Sequence, residues 1–136
     1  MAEQIEKGNL KFKQGAEPEE VTYQDPCRLG KHMGIFEEPR NVLKSIPGVQ
    51  FEEMDHSRTE SSCCGTSAWT ACDKVREDIR IDRLSQAKST LVTACPKCMV
   101  HFSCTQHHNA TIDPALKQIR VKDITQLVAE GLESEQ

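Results

Sequence analysis

The run Thr90-Leu91-Val92-Thr93-Ala94-Cys95-Pro96-Lys97-Cys98 decides the fold of this chain. Its first five residues are β-branched or apolar, and a run this short suits a buried strand. Pro96 then fits the first turn of a helix, where its missing N–H leaves no bond unmade. A Cys-x-x-Cys at such a junction sets two thiols in a strand-to-helix loop.

Reading outward, the same arrangement recurs. Val21-Thr22-Tyr23 is β-prone and stops at Asp25-Pro26, because proline cannot donate to a ladder, and Cys27 follows at once. Glu37 to Ser45 has helical spacing in Val42, Leu43 and Ile46, tolerates Pro39 in a first turn, and ends at Pro47-Gly48. Val49 to Met54 alternates imperfectly as a strand. Polar residues from Asp55 to Ser62 lead into Cys63-Cys64-Gly65, after which Ser67 to Lys88 is helical, with Ala68, Cys72, Val75 and Ile79 along one face. Ile119 to Val121 is a fourth short strand, and Asp123 is a good N-cap for the helical pattern Ile124, Leu127, Val128 and Leu132. Four strand-then-helix units predict an α/β fold: an open, mostly parallel sheet of about four strands with flanking helices, since parallel strands need crossovers. The cysteine loops of such a sheet gather at the carboxyl edge of its strands, where ligands bind.

A chain of 136 residues with 37% hydrophobic content supports one domain. Residues 1–20 read as a charged lead-in or linker and 21–136 as the domain. Seventeen basic against 21 acidic residues, a net charge of −4, form no basic stripe, which excludes nucleic acid as a partner. No apolar run at the amino terminus suits a signal peptide or direct membrane insertion, so a cytoplasmic setting is expected. Seven cysteines in that compartment point to metal or redox chemistry rather than to disulfides.

Thiolates are soft ligands that suit iron–sulfur clusters and zinc. Five of them, Cys27, Cys63, Cys64, Cys95 and Cys98, have ligand-type spacing and fall in the three loops. Helical rotation of about 100° per residue keeps Cys98 near Cys95 and carries Cys104 to the opposite side, against a local zinc site built from Cys95, Cys98, His101 and Cys104. Cys72 falls inside a helix and reads as packing. Adjacent side chains diverge, so Cys63 and Cys64 would address different metal atoms, which favours a multinuclear cluster. Gly65 admits positive φ or close approach to a cluster; a plain turn is its other reading.

The segments Val21-Thr22-Tyr23-Gln24-Asp25-Pro26-Cys27-Arg28-Leu29-Gly30, Ile46-Pro47-Gly48, Cys63-Cys64-Gly65 and Thr93-Ala94-Cys95-Pro96-Lys97-Cys98 together resemble the cysteine-rich CCG domain of heterodisulfide reductases and related iron–sulfur oxidoreductases. The resemblance implies a non-cubane 4Fe–4S cluster held by Cys27, Cys63, Cys64, Cys95 and Cys98, with zinc as the alternative metal. It implies one-electron steps in the reduction of a small thiol disulfide. The chain departs from the family in a short interval between Gly65 and Cys95, in Thr-Ser-Ala-Trp after Gly65, and in its single cysteine set. One set implies half of an apparatus: a domain or subunit of an oxidoreductase that does not turn over alone. Its expected partners are a second CCG domain or subunit and an electron-donating iron–sulfur or flavin protein, with any membrane association made through a partner.

Arg28, Lys31 and His32 after Cys27 could offset the negative charge of a thiolate cluster or hold an anionic substrate, although a solvated loop explains them slightly better. His32 is the candidate proton donor, because imidazole titrates near neutral pH. His107 and His108 read as surface residues, His56 and His101 as no more than neighbours of the site, and Trp69 as core or as a cover over it. Two other functions remain open: an electron-transfer module of a 2-hydroxy-acid or quinone-linked oxidoreductase, and a zinc-stabilised assembly module without turnover.

Overall fold

The computed structural model describes residues 1–65 and 73–132. Four strands, β1 (Glu19–Gln24), β2 (Val49–Glu52), β3 (Thr90–Thr93) and β4 (Arg120–Asp123), form one open sheet in the order β2-β1-β3-β4. Every neighbouring pair is parallel, with Thr22 beside Leu91 and Tyr23 beside Val92 at the centre. β3 is buried along its whole length, as its β-branched composition requires.

Helices cover both faces. On one side α2 (Glu37–Ser45) and α6 (Ile124–Gly131) enclose Val21, Tyr23 and Val92 together with Leu43, Leu127 and Val128. On the other, α3 (Lys74–Ser85) and α4 (Pro96–His108) enclose Leu91 with Met54, Leu84, Cys98 and Phe102. The alternation of β1 and β3 side chains between these cores is the period-two rule of a strand. The remaining helices are short: α1 (Ala2–Glu6) and α5 (Pro114–Lys117).

Residues of the lead-in touch the domain: Ala2, Ile5 and Phe12 pack on the first core, Phe12 bridges to Leu132, and the Lys13 N–H donates to the Gly131 carbonyl at 2.9 Å. One feature differs from the sequence pattern. In α3, Val75 and Ile79 are exposed at 69% and 36%, whereas Arg80, Arg83 and Leu84 are buried. The inward face of this helix combines two hydrogen-bonded arginines with Leu84 and the partly buried Ile81, and leaves the expected apolar stripe outside. The expected first part of the helix, with Ala68 and Cys72, and also Trp69, lies outside the described residues.

The chain runs from β1 outward to β2, then crosses back over β1 to β3 on its other side. The strand order therefore reverses between β1 and β3, and in open α/β sheets the crevice at such a point is where ligands bind. Cys27 follows β1 and Cys95 follows β3.

A candidate metal centre at the reversal of strand order

Three loops meet at that crevice. After Gln24, Cys27 opens a π-helical turn (Arg28–His32) whose Gly34 N–H donates to the Gly30 carbonyl at 2.7 Å. Cys63 and Cys64 follow a 3₁₀ turn (Arg58–Glu60), and Cys95 is the N-cap of α4, with Pro96 in its first turn. All five thiols line one cavity of about 790 Å³. Cys64 and Cys98 are buried, Cys95 is half-buried, and Cys27 and Cys63 are exposed at its rim. Cys104 is half-buried and does not line it.

Buried polar residues hold these loops in place. Arg40, fully buried on α2, grips Asp25 with both terminal nitrogens at 2.8 Å and Glu53 through Nε at 2.6 Å and Nη2 at 2.9 Å. Asp25 in turn accepts the Arg58 backbone N–H at 2.8 Å, which ties the loop after β1 to the 3₁₀ turn. Gln24 makes the second tie. Its Nε2 donates to the Ser62 carbonyl, one residue before Cys63, at 3.0 Å, and its Oε1 accepts from Arg83 Nε at 2.8 Å. Gly65 stands at φ +74°, and a β-carbon there would lie 2.7 Å from the Arg76 carbonyl oxygen, so the chain after the cysteine pair requires glycine. Arg80 Nη2 donates to the Gly65 carbonyl at 3.2 Å.

Hydrogen bonding to Cys64, then burial, then the charges of Cys64 and Cys95 push the Cys98 thiol far above the ordinary thiol range. Thiols this close cannot ionise together unless positive charge enters among them, which is what a bound metal centre provides. Among the described residues, no three His, Cys, Asp or Glu side chains are arranged to hold a single ion. The donors surround a cavity rather than a point, which suits several metal atoms better than one tetrahedral zinc. The thiol set thus fits a cluster, whereas Gly65 does not line the cavity: glycine is required there by the close approach of α3 at Arg76 and Arg80.

Apart from Asp25, which is committed to Arg40, the charged residues of the wall are Arg28, Lys31, Arg58 and Lys97. His32 is exposed at the end of its turn and does not line the cavity. His101 does line it: its Nδ1 is buried and makes no hydrogen bond among the described residues, and burial, then Arg80 and Lys97, push the imidazole below the ordinary histidine range. The available signal for His101 was its place three residues after Cys98, on the same side of a helix. Gln24, Arg40 and Arg83 gave no comparable signal, because nothing local marks a polar residue as buried.

The match to known families covers residues 21–103, from the start of β1's buried half to the middle of α4, and so includes all five thiols. The chain belongs to the cysteine-rich CCG domain family. This CCG domain is 38% identical over 118 residues to one component of the dihydromethanophenazine:CoB–CoM heterodisulfide reductase of Methanosarcina barkeri, covering 82% of the chain and 27% of the relative. It is 30% identical to a probable iron-sulfur-binding oxidoreductase of Bacillus subtilis, over 97% of the chain and 19% of the relative. A probable glycolate oxidase iron-sulfur subunit of B. subtilis is 37% identical over 91 residues, 62% of the chain and 20% of the relative. The chain spans about a quarter to a third of the length of the first heterodisulfide reductase relatives. No solved structure matches it.

Proposed function

We propose that this chain is the iron–sulfur redox domain of a heterodisulfide reductase-like enzyme, with Cys27, Cys63, Cys64, Cys95 and Cys98 holding a non-cubane 4Fe–4S cluster. The observation that carries the reading is that these five thiols, from two loops and the start of α4, line one cavity while Cys104 does not. When bound, the cluster supplies one-electron transfer at a centre that sulfur can approach. The protein's own part is to fix five donors, to keep Cys64 and Cys98 away from water, and to present Arg28, Lys31 and Lys97 toward an anionic sulfur compound at the mouth. We assign proton entry to His32, through water at that mouth, so that His32→Asn slows thiol release without loss of iron.

The names of the relatives support a redox role, and several of these relatives are subunits of reductases or oxidases, which supports partners: a second CCG domain or subunit and an electron donor. Zinc has no comparable support. The glycolate oxidase relative favours a second reading, in which the same cluster passes electrons and touches no disulfide.

Anaerobic reconstitution with iron and sulfide, followed by metal analysis and paramagnetic resonance, tests the cluster. Iron with a cluster signal is expected in the native chain, with loss on serine replacement at each of the five positions and retention in Cys104→Ser. Absence of iron, or equal loss at Cys104, overturns the ligand set. Reduction of a mixed thiol disulfide by the assembled complex separates the two functional readings.

A further inference from the structure

Two arginines beneath this site are completely buried, and they are treated differently by their surroundings. Arg40 is neutralised by Asp25 and Glu53. Arg83, on α3, donates through Nε to Gln24 Oε1 at 2.8 Å and through Nη1 to the His56 carbonyl at 3.0 Å and Gln86 Oε1 at 2.8 Å. Its Nη2 meets Met54 Sδ at 3.2 Å. Each of these acceptors is uncharged. A guanidinium stays protonated in proteins, so a full positive charge sits in the interior without a carboxylate among its hydrogen-bond partners in the described residues.

Such a charge is costly to bury unless an anion offsets it. Burial does push the Arg83 guanidinium below its ordinary range, and the groups that oppose this are Asp82, Asp25, Asp55 and Cys64, in that order. Asp82 and Asp55 are exposed and screened by water, and Asp25 is engaged by Arg40. The fourth, Cys64, belongs to the thiol cavity. Arg83 reaches it through Gln24, which lines the cavity and holds the carbonyl preceding Cys63.

We propose that Arg83 is the built-in counter-charge of the thiolate centre: a positioning residue that orients Gln24, so joining the Cys27 and Cys63–Cys64 loops, and whose buried positive charge favours the reduced state of the redox centre. The inference rests on the iron–sulfur reading above. Its physical basis is that adding an electron to an already anionic centre is easier beside a fixed cation in a medium of low dielectric.

The test compares the native chain with Arg83→Met and Arg83→Lys after anaerobic reconstitution, with iron content and midpoint potential measured by redox titration. Arg83→Met is expected to shift the one-electron equilibrium about tenfold toward the oxidised state, a fall of about 59 mV. Arg83→Lys, which keeps the charge and loses the fork, is expected to retain most of the native potential. If Arg83→Met does not give native far-ultraviolet dichroism, Arg83→Gln takes its place. An unchanged potential in the neutral variant, or an equal fall in Arg83→Lys, overturns the proposal. Cobalt(II) titration of the metal-free proteins, read by thiolate-to-metal absorbance, gives a second arm, in which the neutral variant should bind at least about tenfold more weakly. A native chain that takes no iron but binds cobalt sinks the iron–sulfur reading, and the cobalt affinities then decide for or against Arg83. One that binds neither metal overturns both.

Discussion

At the scale of single residues, the site is defined by atoms that leave no room for alternatives. Gly65→Ala places a methyl group 2.7 Å from the Arg76 carbonyl oxygen and forces a side chain into left-handed backbone. A loss of about 2 kcal/mol or more is expected in urea unfolding, the sum of left-handed strain and the clash. Gly34→Ala is the control. Its φ is also positive, at +70°, but a β-carbon meets nothing within 4 Å, so only the backbone strain of about 1 kcal/mol should appear. Asp25→Asn removes the carboxylate that Arg40 grips with two bonds and leaves a buried cation with Glu53 alone. Breaking a buried pair from one side costs about 3–5 kcal/mol, and the same change frees the 3₁₀ turn that Asp25 holds by the Arg58 N–H. Denaturant titration checks the first effect, and cobalt(II) binding by the metal-free variant checks the second.

At the scale of elements, the opposite end of the sheet is fastened by Glu19. Its carboxylate accepts from Thr90 Oγ1 at 2.6 Å and pairs with Arg120 at 3.0 Å and Lys122 at 3.5 Å, so one side chain on β1 reaches β3 and β4. Burial raises its pKa, but the Thr90 bond and then Lys122 and Arg120 outweigh it, and the net shift is downward. A carboxyl whose folded pKa lies below its unfolded one contributes stability above the unfolded value and loses it as pH falls through the folded value. Glu19→Gln should therefore flatten the acid limb of the stability profile below about pH 4.5 and leave its slope near neutrality unchanged, as denaturant midpoints against pH will show. The cap of α6 offers a further check. Asp123 accepts the Thr125 N–H at 2.9 Å and closes a capping box with Gln126, so Asp123→Ala should cost about 1 kcal/mol.

The strands and their loops were legible in the sequence because β-branched runs such as Thr90-Leu91-Val92-Thr93 and stops such as Asp25-Pro26 act locally. Helix α3 was legible in kind but not in orientation. Val75 and Ile79 follow the apolar period yet face outward, and the inward face carries Leu84 together with Arg80 and Arg83, whose buried acceptors in Gly65 and Gln24 are distant in sequence. The same limit hid the Gln24 tie: burial of a polar side chain depends on what lies across the fold, and no short window of sequence carries that, whereas the place of His101 beside the site was legible from its spacing after Cys98.

At the scale of the whole molecule, a ligand that binds only the folded state adds to its stability by mass action. The metal-loaded domain should melt at a higher temperature than the metal-free one, the increment should disappear with chelation, and Cys98→Ser should abolish it; calorimetry of the three samples decides. Among the described residues no helix is long and apolar enough to cross a membrane. The site lies between β1 and β3, neighbours in the sheet whose loops are separated in sequence by the whole α2, β2 and α3 region. This order has a consequence for biosynthesis. Cys27 is synthesised before Cys98, and the five thiols come to line one cavity only when β3 has docked beside β1, so a centre that used all five would be loaded only in chains that have completed the sheet's central pairing.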